Sequence, residues 1–495
     1  MTQSAYNRAL LARNLAARWQ TLCAKYLPIG SRDAFWVYSR HSHPGEPEQG
    51  WKLHVSATVL TACEVLERIG PLLLSRDIQF KAPASLLEIQ RINSGVYYGY
   101  SQIGKLITIY PNSTEQAVQV ADELDHLTNT MSAPAVPFDG ALRNGGCIYY
   151  RYGAFKPIGV NGPVGKEARV IRDLTGELVS DPRDGDVHPN WVSNPFRQLD
   201  EPSTESPLAT TYRVVRALAQ RGRGGVYQAI DLSAASPRIC IVKEGRSLGE
   251  IGWDGRDGSW RVRHEEHVIK ALRNNGVPAP EVYSSFRVDS DYYFVTEMIE
   301  GETLNELLSR KRRRLSLTRA CRLGAQVSAL LSQIHAAGWT WRDCKPGNLI
   351  LTRNGQLRPL DFEGACRRDS PDHAFWGTPG FTPPERRRKV TTREHEDLYA
   401  LGAILYLLVT GKLPLATPLS ICKLRKNVPV EVRRLIKRLL SGDRRRQPSA
   451  QAATLILQRA LSQRIKLHPR QQINKAWIGT QCVERRLNLQ SNDRC

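Results

Sequence analysis

The stretch WRDCKPGNLIL at residues 341–351 places Asp343, Lys345 and Asn348 directly ahead of an apolar run. Further short stretches flank it in a fixed order. Downstream, RPLDFEGA (358–365) sets Asp361 at the end of a strand, GTPGFTPPE (377–385) follows, and EDLYALGAILY (396–406) leads Asp397 into an apolar helix. Upstream, RICIVKEG (238–245) carries Lys243 near the end of an apolar strand. RHEEHVIKAL (263–272) then offers two carboxylates on a helix. Glu265 is followed by Ile269 and Leu272, the i+4 and i+7 positions of a core-facing side, so Glu265 rather than Glu266 is expected to hold Lys243. YRVVRALAQRGRGGVYQAID (212–231) reads as strand, glycine-rich turn, strand. Glycines let backbone N–H groups approach phosphate oxygens unobstructed, although this segment alone would also pass for a plain hairpin.

The order and spacing of Lys243, Asp343, Asn348, Asp361, Glu385 and Asp397 resemble the protein kinase superfamily throughout. The resemblance implies that Asp343 accepts the proton of the attacking hydroxyl and Lys345 steadies the transferring phosphoryl group. It implies that Asn348 and Asp361 hold Mg²⁺, and that Lys243 reaches the α and β phosphates of ATP or another nucleoside triphosphate. Gly222, Gly224, Gly225 and Val226 would cover the nucleotide, with Thr296 lining the adenine pocket, Glu297 and Met298 in the hinge, and Glu385 as a structural anchor. R-D-x-K fits Ser/Thr kinases better than Tyr kinases. Two positions depart from the pattern: Trp341 stands in place of the usual His of H-R-D, and Glu363 turns D-F-G into D-F-E. The second departure reduces freedom at the switch position, and a segment that rarely flips implies a constitutively competent kinase.

The chain has 495 residues, 41% hydrophobic and 24% charged, an ordinary globular composition with room for two or three domains. LYALGAILYLLV (398–409) is too short to span a bilayer and reads as a buried helix. The N-terminus, interrupted by Arg8 and Arg13, reads as an amphipathic helix rather than a signal peptide. Ten scattered cysteines without CxxC spacing suggest a reducing compartment, and a cytoplasmic location is expected. The formal charge of +22 favours anionic partners, but no aromatic residues interleave with the runs at 310–314, 386–388 and 444–446, so a nucleic-acid platform is not supported. From Asp181 to Pro207 the composition turns to Pro, Asp, Asn and Ser, marking a linker or an ordered loop. The expected organisation is an N-terminal domain over 1–180, a linker over 181–207, a kinase-like domain over 208–464 and a basic tail over 465–495.

Within the N-terminal part, GWKLHVSAT (50–58) alternates strictly, with Trp51, Leu53 and Val55 on one face of a strand and Lys52, His54 and Ser56 on the other. Periodicity alone also fits the wet face of a half-exposed strand. Together with FK at 80–81, GKLITIYP (104–111), YYRYGAF (149–155) and GPVGK (162–166), this stretch is similar to class III lanthipeptide synthetases, and the resemblance covers about residues 1–460. These proteins join a phosphopeptide lyase to a kinase and usually to a cyclase, and the lyase part resembles the phosphothreonine lyases of bacterial effectors. The implied fold class is α+β: a phosphothreonine-lyase-like domain followed by a bilobal protein-kinase-like domain.

The resemblance carries the general acid of phosphate elimination onto His54 and the base onto Lys81. Lys52, Lys105, Arg143 and Arg151 carry over as phosphate ligands, and Arg91 as a weaker candidate. The residue types suit the chemistry. The α-proton next to a carbonyl is weakly acidic, and a desolvated lysine among other cations is a competent base near neutrality. Histidine is well tuned to donate to the leaving phosphate, and a cation cluster absorbs its charge. A fused cyclase would need some 350 further residues, and the segment after Arg464 is too short to supply them, so ring closure is expected to fall to a separate cyclase. The expected function is a bifunctional dehydratase acting on Ser and Thr of a ribosomally made precursor peptide. A signalling Ser/Thr kinase with a non-catalytic phosphopeptide-binding domain is the alternative. A catalytically dead scaffold is disfavoured, because every phosphoryl-transfer position is filled.

Overall fold

The computed structural model describes residues 3–30, 35–156, 170–181, 185–197, 206–310, 314–370, 376–384, 394–414, 418–441 and 444–467. The chain forms two compact units, Met1–His267 with Glu281–Met298, and Val268–Pro280 with Ile299–Cys495.

The N-terminal part of the first unit is a seven-stranded antiparallel sheet. Its strands are β1 (Ile29–Gly30), β2 (Trp36–Tyr38), β3 (Gln49–Val55), β4 (Gln79–Pro83), β5 (Ile107–Tyr110), β6 (Gly140–Ala141) and β7 (Ile148–Ala154), in the order β1-β2-β4-β5-β3-β7-β6. Helices α1 (Gln3–Tyr26), α2 (Ala62–Ser75), α3 (Leu86–Ser94) and α4 (Thr114–Thr128) accompany it. Local chemistry sets their ends. Ser85 caps α3 by accepting from the Glu88 N–H, and Gly95 closes it at φ +69°. Ser113 caps α4 through the Gln116 N–H.

Register then decides which side chains share a face. Phe80 pairs with Ile109, Ile109 with Leu53, and Leu53 with Tyr150, so one row across four strands is apolar. That row joins Trp19, Leu66, Ile69 and Leu124 in one buried core. The next row runs Lys81–Thr108–His54–Tyr149 on the opposite face of the same strands. The described part of the Pro- and Asp-rich stretch is an ordered loop: Phe196 is buried and stacks on Tyr150, 4.0 Å between ring centres.

Further along the first unit, β8 (Val170–Arg172) pairs with β9 (Leu178–Ser180). A five-stranded antiparallel sheet follows, ordered β10 (Tyr212–Arg221), β11 (Gly224–Asp231), β12 (Arg238–Gly245), β14 (Asp291–Glu297), β13 (Val282–Val288).

The second unit is mainly helical, built on helices Leu317–Ala336, His395–Thr410, Val430–Leu439 and Ala450–Leu467. The run 398–409 lies within His395–Thr410 and is buried almost all round, which accounts for its lack of a polar face. Among the described residues no helix is long and apolar enough to cross a membrane. The architecture is the mixed α and β arrangement that the resemblance implied.

Leu53 is wholly buried between β5 and β7. Leu53→Ala should cost about 2–5 kcal/mol, read as a lower denaturant midpoint for the first unit.

Candidate functional site

The polar row on the N-terminal sheet is not a wet face. Lys52 is 9% exposed, His54 5%, Lys105 5% and Arg151 4%, so the reading of a half-exposed strand is corrected. Loops and neighbouring elements cover that face as well, and buried charges need partners. Asp139 supplies one. Its Oδ2 lies 2.5 Å from His54 Nδ1 and its Oδ1 2.9 Å from Lys105 Nζ. Asp181 supplies the other, with Oδ1 3.2 Å from Arg151 Nη2. Lys52 is the cross-strand partner of Arg151, and its Nζ donates to the Ala154 carbonyl at 2.9 Å. Lys81 stands two strands from His54, with its ammonium 4.4 Å from the centre of the Trp36 ring and 5.8 and 5.9 Å from those of Tyr38 and Tyr110.

The structure therefore gathers Lys52, His54, Lys81, Lys105 and Arg151. The other two candidates have carboxylates of their own. Arg91 pairs with Glu88 at 2.6 Å and Arg143 with Asp125 at 3.1 Å, and both side chains are 40% exposed. Of the tyrosines around Arg151, Tyr150 and Tyr152 pack against Trp51, whereas Tyr149 is the buried cross-strand neighbour of His54.

Electrostatics follow from this burial. Desolvation drives His54 from its ordinary 6.5 down to about 4; Lys105 and Lys52 push the same way, and Asp139 opposes them. Burial alone would raise Asp139, but His54 and Lys105 hold its carboxyl below the usual carboxylate value. The arrangement offers an oriented imidazole, a set of cations able to take a phosphate, and a lysine two strands away. Asp139 and Asp181 were not singled out in the sequence. Asp139 sits in an Asp-Gly pair and Asp181 heads a Pro- and Asp-rich stretch, and both contexts read as turns.

In the five-stranded sheet, Lys243 Nζ donates to both oxygens of Glu265 at 2.6 and 2.7 Å, while Glu266 accepts from the Tyr292 hydroxyl. Val226 is the cross-strand partner of Lys243. The glycine turn is closely packed. The Gly222 N–H donates to the Ser94 carbonyl at 3.1 Å, and a Cβ on Gly222 would fall 1.6 Å from the Asn93 carbonyl oxygen. Gly224 has φ +145°, and a Cβ there would meet the Glu244 carbonyl oxygen at 1.9 Å. At Gly225 the obstacle would be the Tyr227 hydroxyl, 2.2 Å away. Thr296 is buried, Glu297 pairs backbone to backbone with Glu281, and Met298 Sδ accepts from Gln228 Nε2.

In the second unit Lys345 Nζ donates to Asp343 Oδ2 at 2.6 Å and to Thr378 Oγ1 at 3.0 Å, and Thr378 donates on to Asp343 Oδ1 at 2.8 Å. Asn348 Nδ2 donates to the Asp343 carbonyl at 3.0 Å. Burial and the charge of Asp361 raise Asp343 above its ordinary value, against Lys345 and Thr378. Asp361 has φ +60°. The Asp361 carboxylate and the Asn348 amide oxygen are oxygen donors, of the kind Mg²⁺ takes when phosphates complete its shell.

Trp341 shows how the departure from H-R-D is absorbed. Its indole N–H donates to the Asp361 carbonyl at 2.8 Å and its ring stacks on Phe362. Asp397 anchors the loop from beneath, accepting from the Trp341 and Arg342 amides at 2.8 and 2.7 Å and lying 2.9 Å from His335 Nε2. The Arg342 guanidinium is buried against Glu396. Glu385 and the GPVGK stretch lie outside the described residues.

Comparison with known proteins matches residues 25–207 to the RamC N-terminal domain and residues 222–466 to the protein kinase domain. The two matches follow one another along the chain and together take in most of its length. The probable SapB synthase of Streptomyces coelicolor is 30% identical over 404 residues, 78% of this chain and 42% of that protein. The serine/threonine-protein kinase PknA of Mycobacterium tuberculosis is 32% identical over 216 residues, 42% of this chain and 49% of that protein. Serine/threonine-protein kinase F of Synechocystis is 29% identical over 223 residues, 41% and 45% of the two chains. The chain thus spans less than half the length of each. The resemblance to class III lanthipeptide synthetases is borne out by these matches.

Two expectations follow. Because His54 is held neutral in the fold, its contribution to stability is complete above pH 6.5 and is lost as pH falls toward about 4. The denaturant midpoint of the first unit should fall across that window, and His54→Gln should flatten the slope. Trp341→Phe keeps the ring contact but removes the donor to Asp361, and should cost about 1 kcal/mol; Trp341→Ala should cost about 3–5 kcal/mol and depress phosphoryl transfer, checked by urea melts and radiolabel incorporation.

Proposed function

We propose that this chain is a two-step dehydratase of lanthipeptide-type biosynthesis, phosphorylating Ser or Thr of a ribosomal precursor peptide and then eliminating the phosphate. The observation that carries the reading is the cross-strand row Lys81–Thr108–His54, with buried Lys52 and Arg151 on the same sheet face and buried Lys105 joined to His54 through Asp139. A kinase alone has no use for a second buried cation cluster with an imidazole in it.

In the first step Asp343 takes the proton of the substrate hydroxyl, and its raised basicity suits that role. Lys345, bonded to both Asp343 and Thr378, stands beside that base and steadies the transferring phosphoryl group. Bound nucleoside triphosphate and Mg²⁺ supply the phosphoryl group and neutralise its charge. Lys243 steadies the nucleotide phosphates while Glu265 fixes its ammonium. In the second step Lys52, Lys105 and Arg151 take the phosphate of the phosphoserine or phosphothreonine. Its negative charge beside His54 favours the imidazolium and so reverses the effect of burial. Lys81 removes the α-proton, the electron pair forms the Cα–Cβ double bond, the Cβ–O bond breaks, and His54 gives its proton to the departing phosphate. Asp139, holding Nδ1, leaves the other ring nitrogen for that transfer. The products are dehydroalanine or dehydrobutyrine and inorganic phosphate.

A precursor peptide incubated with nucleotide should lose about 18 Da per modified residue by mass spectrometry. His54→Ala or Lys81→Ala should instead leave adducts of about +80 Da, and Asp343→Asn should leave the peptide unchanged. Stable +80 Da adducts from the native protein would replace this reading with that of a kinase whose N-terminal domain only binds phosphopeptide.

A further inference from the structure

Asp181 stands apart from the sheet that carries the candidate lyase residues. It follows β9 and reaches back over β7, where it is 6% exposed. Its Oδ1 lies 3.2 Å from Arg151 Nη2, and its Oδ2 accepts from the Ala154 N–H at 3.4 Å. Gly153 locates the group more closely. A Cβ built there would lie 2.9 Å from Asp181 Oδ2 and 3.0 Å from Lys52 Nζ. The carboxylate and the ammonium therefore converge over one glycine, no more than about 6 Å apart. Asp181 thus pairs with Arg151 and lies close to Lys52, the cross-strand partner of that arginine.

A carboxylate on a guanidinium and an ammonium copies the contacts of a phosphate on the same groups, with planar oxygens accepting from the same N–H donors. Buried cations that bind an anion only part of the time need a counter-charge for the rest. We propose that Asp181 is that counter-charge, an internal stand-in for the substrate phosphate, and that an arriving phosphate monoester displaces it from Arg151. Asp181 then sets the affinity of the pocket. A monoester dianion outcompetes it, whereas a singly charged carboxylate side chain of an unphosphorylated peptide gains nothing by the exchange. Peptides would therefore be sorted by whether phosphorylation has taken place. The inference rests on the lyase reading of the pocket.

The test is calorimetric titration of the full chain with inorganic phosphate. Asp181→Asn removes the competing charge and should bind phosphate about tenfold more tightly than the native protein, and its KM for a phosphoserine peptide should fall in step. Asp181→Glu keeps the charge and should bind phosphate like the native protein. Equal or weaker phosphate binding by Asp181→Asn would overturn the proposal, since a residue that merely orients Arg151 would weaken the site when neutralised. Should Asp181→Asn fail to fold, Asp181→Ser carries the same expectation, with its melting temperature rising more steeply with phosphate than that of the native chain. A tighter phosphate site in a protein that never eliminates phosphate would uphold the stand-in and remove the lyase function.

Discussion

The contact on which the N-terminal half depends is the carboxylate of Asp139 between His54 and Lys105. Register across β4, β5, β3 and β7 puts polar side chains on a face that is itself largely covered, so Lys52, Lys105 and Arg151 are shut off from water while Lys81 is half-buried. An uncompensated buried ammonium is far costlier than a paired one. Asp139 compensates one pair and Asp181 the other. The same contact fixes which ring nitrogen of His54 is engaged, so one ion pair both permits the burial and orients the imidazole.

The second unit solves its own problem with the same device. Asp397, fully buried, gathers the amides of Trp341 and Arg342 together with His335, and thereby sets the backbone of the loop that presents Asp343. Trp341 can replace a histidine there because the position asks for a donor to the Asp361 carbonyl and a flat face for Phe362, and an indole offers both. Arg342 has its buried charge met by Glu396 inside the fold.

The alternation in residues 51–57 was legible because period two survives in any half-polar strand, and the kinase spacing was legible because loop chemistry is local. The counter-ions were not. Asp139 is 85 residues from His54 and Asp181 is 30 from Arg151, and a lone aspartate in a turn-rich stretch carries no mark of the cation it will meet. Arg91 is the opposite case. Glu88 three residues earlier on the same helix was open to view as a partner that would draw it away. The packing of Gly222 against Ser94 joins segments more than a hundred positions apart, and no reading of a glycine-rich turn contains it.

Charge balance connects these contacts to turnover in the proposed reaction. At rest the gathered groups are Lys52, Lys81, Lys105 and Arg151 against Asp139 and Asp181, with His54 neutral: four positive charges less two negative leave two. A phosphate monoester near neutral pH carries close to two negative charges. The pocket and its substrate are therefore matched in charge. Moving one proton from Lys81 to His54 leaves the total unchanged while arming a base at one end of the row and an acid at the other. Elimination returns a proton to Lys81 from the substrate and spends one from His54 on phosphate, which restores the resting distribution without any proton crossing to solvent.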